Sequence, residues 1–181
     1  MGLDRRLSRA CGPALIIGSV LYFFFYGLPI AGGGLGDQFW MLTLSLHGFS
    51  IIAITIGLIG CHAALHLDGW QTKVWWLSTA MAFLGLTVAN AFFGVAVLGV
   101  AAIAVGLRSA PIGAMLGIGG FLWIYLYVLG VRVGDQNARV ATSSEEVLGL
   151  LAVGLMSLGL IGMGSLAARQ VRRSGEQPEE V

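Results

Sequence analysis

One stretch of this chain, from Val74 to Leu107, runs for 34 residues without a charged side chain. As a single helix it would be about 51 Å long at roughly 1.5 Å per residue, whereas the hydrocarbon core of a bilayer is about 30 Å thick. We therefore expect the stretch to fold back on itself. Asn90 is its only strongly polar residue and a common turn former, so the hairpin is predicted at residues 89–91.

Further apolar runs precede and follow this stretch. Only 10% of the residues are charged and 57% are hydrophobic, against roughly 25% charged in an ordinary soluble domain. The sequence therefore predicts an all-α membrane protein, a single transmembrane domain built as a six-transmembrane-helix bundle in the lipid bilayer. The predicted spans are residues 13–31, 39–67, 74–89, 92–107, 111–131 and 147–168, followed by a polar tail at 169–181.

The distribution of Lys and Arg predicts the orientation, because cytoplasmic loops retain positive charge. Six spans that start inside leave eight basic residues on the inner side and two outside, whereas five spans give six against four. We therefore expect a multi-pass protein of the cell membrane with both termini in the cytoplasm and residues 169–181 as a cytoplasmic tail. The inner basic residues are Arg5, Arg6, Arg9, Lys73, Arg108, Arg169, Arg172 and Arg173, and the outer ones are Arg132 and Arg139.

Several functional classes lack support in the sequence. The formal net charge of +1 provides no basic footprint for nucleic acid. No predicted span carries Asp, Glu, Lys or Arg well inside its apolar run, which disfavours an ion-driven pump. No nucleophile with an adjacent base is evident, so catalysis by this chain is not expected. The leading hypothesis is a small-solute permease or an embedded subunit of a membrane complex, present as a homo-oligomer or with other membrane subunits.

The second predicted span carries a polar stripe. At about 100° per residue, Thr43, Ser50 and Thr55 fall on the same side of the helix as His47. A polar side in lipid should face other helices or water, so these four residues are a candidate polar path or pocket. Packing polarity between helices is the alternative explanation of the same stripe.

His62 and His66 are four residues apart, and Asp68 follows them. On a helix, two imidazoles at this spacing can ligate a transition metal, with a carboxylate orienting one of them. The pair lacks the further ligands of a closed site, so two solvated interfacial histidines are the competing interpretation. His62 and His66 are therefore a candidate metal site.

A haem b group is a second possibility for the same span. His47 and His62 are 15 residues apart, a rise of about 22 Å, which places one imidazole near each membrane face. Bis-histidine ligation needs a partner histidine on another helix, and the chain has only these three histidines. Haem would then require a second subunit or a methionine ligand. The alternative function is thus a membrane redox protein that binds haem or a transition metal; the leading hypothesis needs no cofactor.

Two further residue pairs concern packing. Gly113 and Gly117 form a Gly-x-x-x-Gly pattern on the fifth predicted span, which predicts a close helix contact within the chain or between chains. Cys11 and Cys61 lie near the cytoplasmic ends of the first two spans, where a structural disulfide is not expected. We expect both cysteines to be small buried residues.

Overall fold

The structure is a computed structural model that describes residues 3–32, 40–87, 90–130 and 142–176, with side chains described for 7–26, 45–87, 91–130 and 142–173. Those residues form helices and short turns, without a strand. The prediction of an all-helical chain with six helices is confirmed, and the long apolar stretch forms two of them. The helices are α1 (Leu3–Gly32), α2 (Trp40–Ala64), α3 (Gly69–Thr87), α4 (Asn90–Gly106), α5 (Ala110–Val128) and α6 (Ser143–Glu176).

Four segments are long and apolar enough to cross a membrane, namely residues 7–26, 45–64, 110–128 and 143–173. They belong to α1, α2, α5 and α6. Residues 91–106 of α4 form a shorter apolar helix. These helices support an integral membrane protein, and they show the hydrophobic faces that such a protein presents to lipid.

Some helix ends differ from the sequence expectation. The second span was expected to continue to residue 67, but α2 ends at Ala64, and His66 adopts a left-handed backbone with φ of 50°. A left-handed residue cannot continue a right-handed helix, so the chain turns there. At the other end, α6 continues to Glu176 instead of stopping at 168. The basic residues beyond 168 are good helix formers and prolong the last helix.

The neighbouring helices pack antiparallel in a nearly closed ring. α1 lies against α2 on one side and α6 on the other, α5 joins α6 to α4, and α3 packs on α4. The ring closes where α2 meets α3, and this pair shares far fewer contacts than the other neighbouring pairs. We call this junction the α2–α3 seam.

Glycines set the close approaches elsewhere in the ring. A β-carbon added at Gly57 of α2 would lie 2.8 Å from the backbone nitrogen of Leu15 in α1. One added at Gly85 of α3 would overlap the backbone of Phe93 in α4. Because only a residue without a side chain permits these approaches, α1 packs tightly on α2, and α3 packs tightly on α4.

The turn between α4 and α5 is defined by backbone hydrogen bonds. The Ser109 N–H donates to the Ala104 carbonyl and the Arg108 N–H donates to the Val105 carbonyl, both at 2.9 Å. Arg108 itself has a left-handed φ of 59°. This is a Schellman ending, and Pro111 follows in the first turn of α5, where its missing N–H costs no hydrogen bond.

Candidate functional site

Two hydrogen bonds join α2 to α3 across the seam. Nε2 of His47 lies 3.0 Å from the carbonyl oxygen of Leu86, and the Trp75 indole N–H donates to the Leu58 carbonyl at 2.8 Å. The two bonds are eleven residues apart on each helix, so the antiparallel register is constant between them. The helices therefore run side by side over about 16 Å.

The His47 imidazole is held in an aromatic pocket. It stacks on Phe25 with ring centroids 4.3 Å apart and meets the edge of Tyr26 at 5.9 Å. Leu86 belongs to the last turn of α3, whose carbonyls have no partner within the helix. A carbonyl can only accept, so Nε2 carries the proton and Nδ1 is left as an acceptor. Nδ1 is buried and has no hydrogen-bond partner.

Two more side chains of α2 share this property. Thr55 Oγ1 and His62 Nε2 are also buried without a partner. Around the helix, Thr55 and His62 lie about 80° and 60° from His47, so all three are on one side. That side faces α3, because the His62 ring packs 5.1 Å from the ring of Trp76 in α3. The three atoms form a row that extends over 15 residues, about 22 Å.

An unpaired polar atom inside an apolar bundle is costly. Each one raises the free energy of the folded state by about 1–3 kcal/mol relative to a paired one. Water or a polar solute can supply the missing partner when space allows. Ser78 of α3 lies level with Thr55 in the register set by the two hydrogen bonds, but its hydroxyl lies against Gly99 of α4. The hydroxyl of the next residue, Thr79, donates to the Trp75 carbonyl of its own helix at 2.9 Å. The row on α2 is thus the polar lining of the seam.

The predicted polar stripe divides between two faces of α2. His47 and Thr55 lie in the seam. Ser50 points instead towards α1, where its hydroxyl donates to the Gly18 carbonyl at 3.2 Å and is fully buried. The side chain of Thr43 lies outside the described residues. His62, predicted from its spacing to His66 as a metal ligand, lies on the same side of α2 as Thr55.

The two candidate metal ligands, His62 and His66, do not lie on the same helix. α2 ends before His66, whose side chain is exposed and whose backbone is left-handed. Asp68 is exposed as well. In the part of the chain that the structure describes, no group of three or more His, Cys, Asp or Glu side chains is placed to hold a metal ion. A metal or haem at these histidines remains a prediction.

A second unpaired polar group lies next to the seam. The Tyr22 hydroxyl of α1 is buried without a partner. Its ring contacts Tyr26 and Phe93 at centroid distances of 4.8 Å, and Tyr26 in turn contacts His47. Sequence reasoning did not single out Tyr22, because a tyrosine inside an apolar run belongs to no recognisable motif. Only the packing of α1 against α4 shows that this residue is central.

Gly113 and Gly117 both face α4 of the same chain. A β-carbon added at Gly113 would lie 2.6 Å from Cγ2 of Val105 and 3.2 Å from the Ala101 carbonyl oxygen. One added at Gly117 would have only the Ala101 β-carbon within reach, at 3.9 Å. The close contact is thus centred on Gly113, and Gly117 leaves room for a methyl group.

Comparison with known proteins gives no family for the chain. No protein-family model matches it, and neither a curated protein nor a solved structure matches it.

Proposed function

We propose that the protein is a non-enzymatic, six-span membrane protein that conducts a small polar solute along the α2–α3 seam. The row of buried, unpartnered atoms on His47, Thr55 and His62 is the observation that carries the proposal. A solute with hydrogen-bonding groups would meet these atoms in turn and satisfy each of them. Transient hydrogen bonds to the solute would then remove the free-energy cost of leaving these atoms unpaired.

The conducted solute is uncharged. Residues 45–64 of α2 contain no Asp, Glu, Lys or Arg, and in α3 the single charged residue is Lys73, at its start. An ion in the seam would lack a compensating charge over most of its path, which is expensive in a membrane interior. Water, urea and small polyols have the required chemistry.

The packing of the ring favours the seam over its other junctions. α1 contacts α2 through Gly57, and α3 contacts α4 through Gly85, in each case with backbone against backbone. Passage along those junctions would need the helices to separate. The contacts between α2 and α3 are sparse, so passage of a solute there would need smaller movements of the helices.

Six crossings are supported by how α3 and α4 lie against the apolar helix α5. α4 contacts α5 from Gly94, near Gly120, to Val105, near Gly113. α3 follows α4 over the same length, from Gly85 to Gln71. The hairpin therefore occupies the same depth as a helix long enough to cross. With an even number of crossings, the charge distribution favours cytoplasmic termini in the cell membrane.

Cysteine labelling tests this topology. In a background without the native cysteines, a single cysteine at Gln71 or Glu179 should be protected from an impermeant reagent added outside intact cells. A cysteine at Gln136 should react. Labelling of the Glu179 position from outside would contradict the even number of crossings.

Flux measurements test the function. We expect vesicles that contain the protein to equilibrate at least one of three probes, namely water, urea or glycerol, faster than empty vesicles in a light-scattering assay. Thr55→Val removes the central hydroxyl of the row without changing side-chain volume and should reduce this flux several-fold. Thr87→Val is the matched control, because the Thr87 hydroxyl is exposed and bonds its own helix at the Phe83 carbonyl. Vesicles no faster than empty ones for all three probes would favour an embedded subunit instead.

The same preparation distinguishes the redox alternative. A permease of this kind should show no haem absorption band and no stoichiometric metal. About one metal or haem per chain, lost in His62→Ala, would replace the proposal with a redox function. The mass of the detergent-solubilised protein would show whether it is a homo-oligomer or associates with other subunits.

A further inference from the structure

The only two cysteines of the chain lie against each other. Cys11 of α1 and Cys61 of α2 are both free and fully buried. The antiparallel register that sets Gly57 against Leu15 places Cys61 opposite Cys11, one helical turn further along. The Cys11 thiol also donates to the Ser8 carbonyl at 3.0 Å. A β-carbon added at Gly60 would lie 2.7 Å from the Cys11 β-carbon, so the two backbones are close at this point.

We propose that Cys11 and Cys61 are a reversible dithiol–disulfide pair that links α1 to α2 when a small-molecule disulfide oxidises it. A disulfide is uncharged and suits an apolar site. A structural zinc ion takes four ligands, and no third ligand is placed near the two cysteines among the described residues. The sequence argued against a permanent structural disulfide on the cytoplasmic side; a pair in contact fits the transient, redox-sensing disulfides of reducing compartments.

The reaction is thiol–disulfide exchange. The thiolate of one cysteine attacks a sulfur of the small disulfide, forms a mixed disulfide and releases one thiolate, which takes up the proton. The second cysteine then attacks the protein sulfur of the mixed disulfide. The Cys11–Cys61 bond forms, the remaining small thiolate leaves, and it takes up the second proton. Two protein thiols are oxidised and one small disulfide is reduced to two thiols.

Access to the pair requires local opening at the end of the bundle. Both thiols are 0% exposed, whereas Arg9, Ala10 and Pro13 on the same helix are exposed. The reagent should therefore react more slowly than with a surface cysteine, at a rate set by fraying of the α1–α2 contact. Since the site is independent of the seam, the inference does not rest on transport by the protein.

Thiol counting on the full chain tests the proposal. The protein in vesicles is treated with oxidised glutathione, quenched with acid, unfolded and alkylated with N-ethylmaleimide before intact-mass measurement. We expect two alkyl groups on the reduced protein, and none on the oxidised protein, whose mass should fall by two hydrogens. Dithiothreitol should restore both thiols.

Control variants distinguish a disulfide between Cys11 and Cys61 from separate reactions of the two thiols with glutathione. Cys11→Ser and Cys61→Ser should each gain glutathione at the remaining cysteine or stay unmodified. Cys61→Ser combined with Ala63→Cys moves the second thiol to an exposed position on the same turn of α2 and should yield mixed disulfides instead of the internal bond. Two alkyl groups after oxidation of the wild-type protein would overturn the proposal, and so would stable mixed disulfides or disulfide-linked dimers.

Discussion

Nε2 of His47 lies 3.0 Å from the carbonyl oxygen of Leu86, so one imidazole ties the second helix to the final turn of the third. The bond satisfies a carbonyl that the end of α3 would otherwise leave unpaired within an apolar bundle. It also directs the free nitrogen, Nδ1, away from that bond. The hydrogen bond of His47 to α3 and its proposed contact with a solute therefore involve different ring atoms.

Replacement of His47 should reduce stability by a predictable amount. His47→Leu leaves the Leu86 carbonyl without a donor and should lower the free energy of unfolding by about 1–3 kcal/mol. His47→Gln retains an N–H donor on a different side chain, so its free energy of unfolding should fall by less. Denaturant unfolding in detergent measures both variants. A Leu variant as stable as the Gln variant would show that the hydrogen bond contributes nothing.

The second hydrogen bond of the seam can be tested with two adjacent tryptophans, Trp75 and Trp76. Trp75→Phe removes the indole donor to the Leu58 carbonyl in a fully buried position, with an expected loss of about 1–3 kcal/mol. Trp76 is the next residue and is 45% exposed. Trp76→Phe should leave the unfolding midpoint nearly unchanged, and equal losses in the two variants would contradict the assigned bond.

Two glycines of α2 test the close approach of α1. Gly57→Ala places a methyl group 2.8 Å from the backbone of Leu15 and should destabilise the bundle by about 1–3 kcal/mol through overpacking. Gly48 has no other atom within 4 Å of an added β-carbon. Gly48→Ala should be neutral or slightly stabilising, because alanine favours the helix. The unfolding temperatures of the two variants are compared in the same detergent. A lower unfolding temperature for Gly48→Ala than for Gly57→Ala would contradict the close packing of α1 on Gly57.

His66 tests the left-handed turn after α2. A left-handed backbone raises the free energy of a residue with a side chain by roughly 1–2 kcal/mol. Glycine avoids this strain, but it also makes the unfolded chain more flexible, which offsets part of the gain in stability. His66→Gly should therefore raise the free energy of unfolding by up to about 1 kcal/mol, as measured by denaturant titration. A clear loss of stability would indicate that the imidazole has a partner of its own, a bound metal included.

Helix number and the hairpin position followed from simple lengths. The stretch from Val74 to Leu107 was too long for one crossing, and Asn90 marked where α4 begins. The end of α2 could not be predicted in the same way, because a left-handed His66 depends on the turn into α3. The apolar sequence continues past His66 to Leu67, so the sequence alone predicted a helix that ends at residue 67.

The candidate site was predictable only in outline. Helical angles placed Ser50 and Thr55 on one broad side of α2, but that side faces two neighbours, with Ser50 against α1 and Thr55 against α3. Only the packing distinguishes a serine used for helix contact from a threonine left unpaired. The Cys11–Cys61 contact had no sequence signature, because it depends on the register of α1 against α2.

The central claim is that water and small solutes reach the seam, and the accessibility of position 55 tests it most directly. In a protein without Cys11 and Cys61, Thr55→Cys and Ile56→Cys place a thiol in the seam and on the exposed apolar face. A thiol surrounded by lipid does not ionise and reacts poorly with a small charged methanethiosulfonate. We predict that the reagent modifies the cysteine at 55 many times faster than the one at 56, whereas equal resistance of both would show a dry seam and contradict the proposed path.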